Sequence, residues 1–141
     1  MSMNCSLSAA KKHGVSEFVA DASAVLAFVN GEEGEKHVAR VRESCVVASV
    51  NLMEAFSKLI RHQMQAEHVR VFLREAFPRV VPLDRDLAET SAVLHAATRK
   101  LDLSYADCVC LCLANQRQAT VLTADHEWSK VELDVKIDLI R

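Results

Sequence analysis

Residues 17–31 read Glu17-Phe18-Val19-Ala20-Asp21-Ala22-Ser23-Ala24-Val25-Leu26-Ala27-Phe28-Val29-Asn30-Gly31. Glu17 to Asp21 is a short buried strand that ends in an acid. Ala22 to Asn30 is an apolar helical run closed by Gly31. The same strand-then-helix order recurs downstream. Cys45-Val46-Val47-Ala48-Ser49 is a β-branched strand, and a helix opens at Asn51 with Leu52, Phe56, Leu59 and Ile60 at helical spacing. Asn51 and Glu54 stand in the relation of a capping box, with Glu54 in the first turn. Ala119 to Thr123 is a strand that runs towards Asp125.

The intervening stretches complete the alternation. A helix is expected over 32–43 through Val38 and Val41, and another over 66–77, stopped by Pro78. Residues 79–83 form a brief strand. Asp84 caps a helix to about Lys100, Ser104 caps one to about Arg117, and 135–139 is a last strand. Strands alternating with helices predict a parallel sheet covered on both faces.

Composition narrows the function classes. The chain has 141 residues, half of them apolar, with three Gly and two Pro. That is one domain with a real core, expected over 17–141, preceded by a loose extension over 1–16. No apolar run approaches the roughly 18 residues needed to span a bilayer. A formal charge of −2 excludes a globally basic nucleic-acid coat but not a local basic face. The five cysteines, Cys5, Cys45, Cys108, Cys110 and Cys112, have no disulfide-framework spacing. On a helix Cys110 points away from Cys108 and Cys112, so core packing is the favoured reading over a metal site. Free thiols and the lack of a signal-like apolar core place the chain in the cytoplasm.

Four acids share one position in this scheme. Asp21 ends the first strand, Glu54 lies in the helix after the second, Asp107 opens the helix after Ser104, and Asp125 follows the fourth strand. In open α/β sheets functional groups gather outside the carboxyl ends of the strands. Each acid alone has a structural explanation as a cap or dipole partner. Together, crowded carboxylates repel unless a cation relieves them, and a hard divalent ion takes oxygen ligands.

Val19-Ala20-Asp21-Ala22-Ser23-Ala24-Val25-Leu26-Ala27 resembles the opening of PIN-domain nucleases, particularly the VapC-type toxins of bacterial toxin–antitoxin pairs. Ser49-Val50-Asn51-Leu52-Met53-Glu54, Leu103-Ser104-Tyr105-Ala106-Asp107 and Val121-Leu122-Thr123-Ala124-Asp125 resemble the later motifs, in order. The resemblance implies a three-layer α/β/α sandwich around a five-stranded parallel sheet. It implies Mg2+- or Mn2+-dependent cleavage of RNA, an antitoxin partner and a homodimer. Asp21, Glu54, Asp107 and Asp125 carry over as the metal-binding acids. Ser23 carries over as the hydroxyl residue beside the first acid, and Asn51 falls beside Glu54. Mg2+ keeps several waters, so Asp21 and Asp107 are expected to touch the ion, with Glu54 and Asp125 reaching it through water. The extension over 1–16 and the Cys-rich helix after Asp107 depart from the family pattern without removing an acid.

Lys58 and Arg61 lie on the Glu54 side of their helix and are candidate phosphate contacts. Lys58 can equally pair with Glu54 at i,i+4. Arg85, Arg99 and Lys100 read as ordinary surface charges. Trp128 can stack a base or anchor the core, the latter being favoured, and His126 reads as an exposed loop residue. Met53, Phe56, Ile60, Met64, Val71 and Phe72 form a stripe over 50–77 that suits an antitoxin segment, the core or a homodimer. Two other classes fit less well. A phospho-acceptor receiver domain wants adjacent acids after the first strand. A catalytically silent PIN-like protein, acting as a binding or assembly module, does not need the acids.

Overall fold

The computed structural model describes residues 16–141, so the extension over 1–16 falls, except for Ser16, outside the described residues, as does Cys5. Five strands form one sheet: β1 (Phe18–Ala20), β2 (Cys45–Ala48), β3 (Val80–Val81), β4 (Thr120–Thr123) and β5 (Ile137–Leu139). Their order is β3-β2-β1-β4-β5 and every pairing is parallel. β1 is central, with Val19 level with Val46 on one side and Val121 on the other.

The period of two along each strand divides the core. Val19, Val46 and Val121 face one layer, built from α5 (Arg85–Ala97) and α6 (Tyr105–Arg117). Ala20, Val47 and Leu122 face the other, built from α1 (Ala22–Asn30), α2 (Glu35–Val41), α3 (Ser49–Arg61) and α4 (Ala66–Ala76). This is the expected α/β/α sandwich. Both faces of the central strands are covered, which is why they read as continuous apolar runs. The Cys-rich stretch of α6 is buried from Cys108 to Ala114. Burial raises the thiol pKa of Cys108 to about 11, which keeps it protonated. Cysteine here is core, as composition suggested.

Several boundaries differ from expectation, each for a physical reason. The helix expected over 32–43 begins only at Glu35 and tightens into a 3-10 turn over Arg42–Ser44. Gly34 takes φ +98, and a Cβ there would meet the Ile140 carbonyl oxygen at 2.8 Å, so the chain must turn before the helix can start. The strand expected over 79–83 shrinks to Val80–Val81, because Pro78 and Pro82 offer no N–H to a ladder. The last strand is Ile137–Leu139 rather than 135–139. Gly31 ends α1 in the left-handed region and donates to the Ala27 carbonyl, as a C-cap glycine does. Among the described residues no helix is long and apolar enough to cross a membrane.

Candidate active site

The carboxyl ends of β1, β2 and β4 open on one edge, and the four acids come from the segments that leave it. Asp21 follows β1 and caps α1. Its Oδ1 accepts from the Ala24 N–H at 2.9 Å and from the Ser23 hydroxyl at 2.6 Å, and its Oδ2 accepts from the Thr123 hydroxyl at 2.6 Å. Only 5% of the residue is exposed. Burial raises its carboxyl to about 6; the three hydrogen bonds pull the other way, and the Asp107 charge adds to the rise.

The hydroxyls that hold Asp21 also hold the segment after β4. Ser23 Oγ accepts from the Ala124 N–H at 2.9 Å, and Thr123 Oγ1 accepts from the Asp125 N–H at 3.0 Å. Thr123 is fully buried. Sequence reasoning placed it inside the fourth motif without giving it a role. The signal was there: a hydroxyl at the end of a strand buried on both faces must find a partner.

Asp107 is held by a reciprocal capping box. Ser104 Oγ accepts from the Asp107 N–H at 3.1 Å, and Asp107 Oδ2 accepts from the Ser104 N–H at 2.9 Å. Half-burial raises its carboxyl pKa; its bonds to Ser104 lower it, and the charges of Glu54 and Asp125 raise it further. Asp107 therefore feels all three of the other acids, since it and Asp21 also repel.

Asp125 is exposed and caps a 3-10 turn over His126–Lys130, accepting from the Glu127 N–H at 2.9 Å. Glu54 departs from expectation. The helix begins at Ser49 with Ala48 as its cap, so no Asn51–Glu54 capping box forms and Glu54 lies beyond the first turn. The early start follows from β2 ending directly into the helix. Glu54 instead accepts from Lys58 Nζ at 3.0 Å, the i,i+4 pair named as one reading of Lys58. Arg61, the last residue of α3, is exposed.

Asn51 is freed for another task. It is 1% exposed, and its Nδ2 donates to the Ala106 carbonyl at 3.3 Å. It thus ties the Glu54 helix to the first turn of the Asp107 helix. Its Oδ1 is buried with no hydrogen-bond partner among the described residues, and an unsatisfied buried acceptor costs about 1–3 kcal/mol. Trp128 is 1% exposed and belongs to the core beneath α6; it cannot stack a base. His126 is exposed and contacts the Arg141 carbonyl at 2.9 Å.

Among the described residues no three His, Cys, Asp or Glu side chains close into a ready-made metal cage. The arrangement is an open cluster of oxygen donors with mutual repulsion, which suits a hard cation that keeps much of its own water.

A family model of the PIN domain matches residues 18–133. The chain belongs to the PIN domain family. This PIN domain has no match among curated protein sequences. Solved structures share its fold. A toxin–antitoxin complex from Klebsiella pneumoniae superposes with a TM-score of 0.69 at 15% identity, covering 89% of this chain and 98% of that one. DNA-bound VapBC from Salmonella typhimurium gives 0.68 at 17%, covering 90% and 100%. VapC20 from Mycobacterium tuberculosis, described as a sarcin–ricin-loop-cleaving toxin, gives 0.67 at 17%, covering 85% and 99%. At these identities the likeness is one of fold.

Proposed function

We propose that this PIN domain is a divalent-metal-dependent endoribonuclease, the toxin of a toxin–antitoxin pair, working in the cytoplasm. The observation that carries the reading is the position of Asp107: a carboxylate fixed by its own capping box within the repulsive field of Asp21, Glu54 and Asp125. Such crowding is unfavourable in isolation and becomes useful once a cation and a phosphate share the edge. Membership of the family and the toxin–antitoxin structures of the same fold support the biological setting.

The residues divide the work. Asp21 and Asp107 would hold Mg2+ or Mn2+, with Glu54 and Asp125 in reach of its waters. Bound there, the ion supplies an acidified water and charge relief on the phosphate. Ser23 and Thr123 keep the Asp21 carboxylate in one orientation, and Asn51 keeps α3 and α6 in register. Lys58 neutralises Glu54 in this structure, and with Arg61 it would contact the phosphates of an RNA that reaches α3. The nuclease unit is 17–141.

The antitoxin is proposed to cover the apolar face of α3 and α4. Met53, Met64, Val71 and Phe72 stand 65%, 40%, 54% and 45% exposed. A cavity of about 320 Å³ lies there, lined by Leu52, Met53, Phe56 and Ile60. An amphipathic segment fits such a groove. A homodimer is the second way to cover it, and sedimentation of the chain alone measures that.

The test is cleavage of an RNA panel, including tRNA and rRNA fragments, by purified protein with Mg2+ or Mn2+. EDTA and Asp107→Asn, carried through the same purification, serve as controls. Cleavage lost in both controls is the expected result. Absence of cleavage together with absence of metal binding would overturn the reading in favour of a silent binding module.

A further inference from the structure

We infer that Tyr105, backed by His95, is a platform on which a base of the bound RNA stacks at the first turn of the Asp107 helix, with Arg99 and Lys100 contacting its phosphates. The inference rests on the nuclease reading and names one surface that holds the strand.

Tyr105 is 74% exposed, more than any other large apolar or aromatic side chain among the described residues. It opens α6 two residues before Asp107 and shares its first turn. Its ring lies against the imidazole of His95 on α5, with centroids 4.4 Å apart and planes 37° apart. A ring recruited for the core is removed from water almost entirely; this one is supported on one side and left open elsewhere. The imidazole restrains the ring before any ligand arrives, so less freedom is lost on binding.

The chemistry around the ring favours a nucleic acid. The connection between α5 and α6 carries Arg99 and Lys100, both exposed and neither in an ion pair with a described residue. Asp102 is the one carboxylate in that connection. It takes φ +52, which turns the chain into Leu103, and Leu103 is buried at 6% exposed. The ring and the cations are thus mounted on an anchored turn. An open π-face with neighbouring cations is the combination that holds single strands. The face of α3 exposes Met53 and Ile60, which have no π-face, while its Phe56 is partly buried against the core, and Trp128 is enclosed. Phe72 is half open, but it sits on α4, which contributes none of the four site acids, and it packs on Phe28.

Tyr105 is the chain's only tyrosine, so tyrosine labelling reports on one ring. The experiment titrates a short mixed-sequence single-stranded RNA into the full chain in EDTA, where the strand stays intact. Fluorescence anisotropy follows affinity, and NMR follows the ¹³C-labelled ring. Tyr105→Ala and Tyr105→Phe are compared, with thermal melts expected to match wild type because the side chain is exposed. Wild type is expected to shift its ring resonance, Tyr105→Ala to bind roughly tenfold more weakly, and Tyr105→Phe to bind nearly as well as wild type. Equal binding by Tyr105→Ala, or a ring resonance unmoved at saturation, would overturn the platform; metal-dependent cleavage persisting in that case would leave the nuclease reading intact. Equal loss in the Phe and Ala variants would replace stacking with a hydroxyl contact and also overturn it. A shifted ring and a Phe-rescued loss without any cleavage in Mg2+ would keep the platform and sink the nuclease instead.

Discussion

Glu17 and Asp21 flank the same three-residue strand, β1, and their proton affinities move in opposite directions. Glu17 is gripped by Arg117 through two nitrogens and by Arg79 at 2.6 Å, and the Arg117 bond leads in holding its carboxyl below the ordinary range. Among the described residues Asp21 has hydroxyls and one N–H as partners but no cation, and burial raises it to about 6. Arg79 precedes β3 and Arg117 ends α6, so the amino edge of the sheet is closed by its own charges. Of the four acids at the carboxyl edge, Glu54 alone has a cationic partner among the described residues, Lys58. One end of the sheet is electrostatically finished. The other leaves Asp21, Asp107 and Asp125 without a cationic partner among the described residues.

The comparison can be broken most decisively at the acids. Asp107→Asn and Asp21→Asn should each lower RNA cleavage by about a thousandfold or more, since the ion's stabilisation of the transition state amounts to several kcal/mol. Glu17→Gln should leave the rate within about twofold. A rate equally sensitive to Glu17 would abolish the division between edges.

Stability should respond to pH in opposite senses at the two ends. Asp21 binds its proton more tightly folded than unfolded. Its contribution is therefore fully present below the ordinary value of 3.8 and lost as pH rises through about 6. Denaturant unfolding in EDTA should show the folded state losing about 3 kcal/mol from this group across that window. Asp21→Asn should remove the dependence and gain about 1–3 kcal/mol at pH 7. Glu17 works the other way: its stabilisation is present above pH 4.5 and is lost as pH falls through its lowered folded value. A wild-type curve unchanged by Asp21→Asn would refute the buried, uncompensated carboxyl.

Metal should sharpen the contrast. Mg2+ at about a hundred times its dissociation constant should stabilise the chain by about 2.7 kcal/mol, read as a raised thermal midpoint. The gain should vanish in Asp107→Asn and survive in Glu17→Gln. The smallest effects belong to the ion pairs. Glu17→Gln should cost about 1 kcal/mol in urea unfolding, and Lys58→Ala about 0.3–0.5 kcal/mol, because both pairs are partly open to solvent. A Lys58→Ala loss of activity without a loss of stability would mark Lys58 as a phosphate contact.

Most of the architecture was legible because it is written in local patterns. The strand expected over 17–21 and found at Phe18–Ala20, the Gly31 stop, the Asp84 and Ser104 caps and the strand–helix alternation all depend on near neighbours. The misreadings occurred where a distant residue decides. Asn51 and Glu54 have the spacing of a capping box, but β2 runs straight into α3 and leaves Asn51 to bond Ala106, 55 residues away. Gly34 delays α2 because Ile140 lies against it.

By itself the sequence determined a parallel sheet covered on both faces and the order of the motifs, and it singled out four candidate acids, since strand period, helix caps and acid positions are properties of short segments. Only the tertiary structure decided what those acids experience. Proton affinity depends on which charges and hydroxyls come near in space. Thr123 reaching Asp21 from 102 residues away, and Arg79 and Arg117 meeting at Glu17, follow from parallel strands whose ends are aligned by the sheet, not from any spacing along the chain.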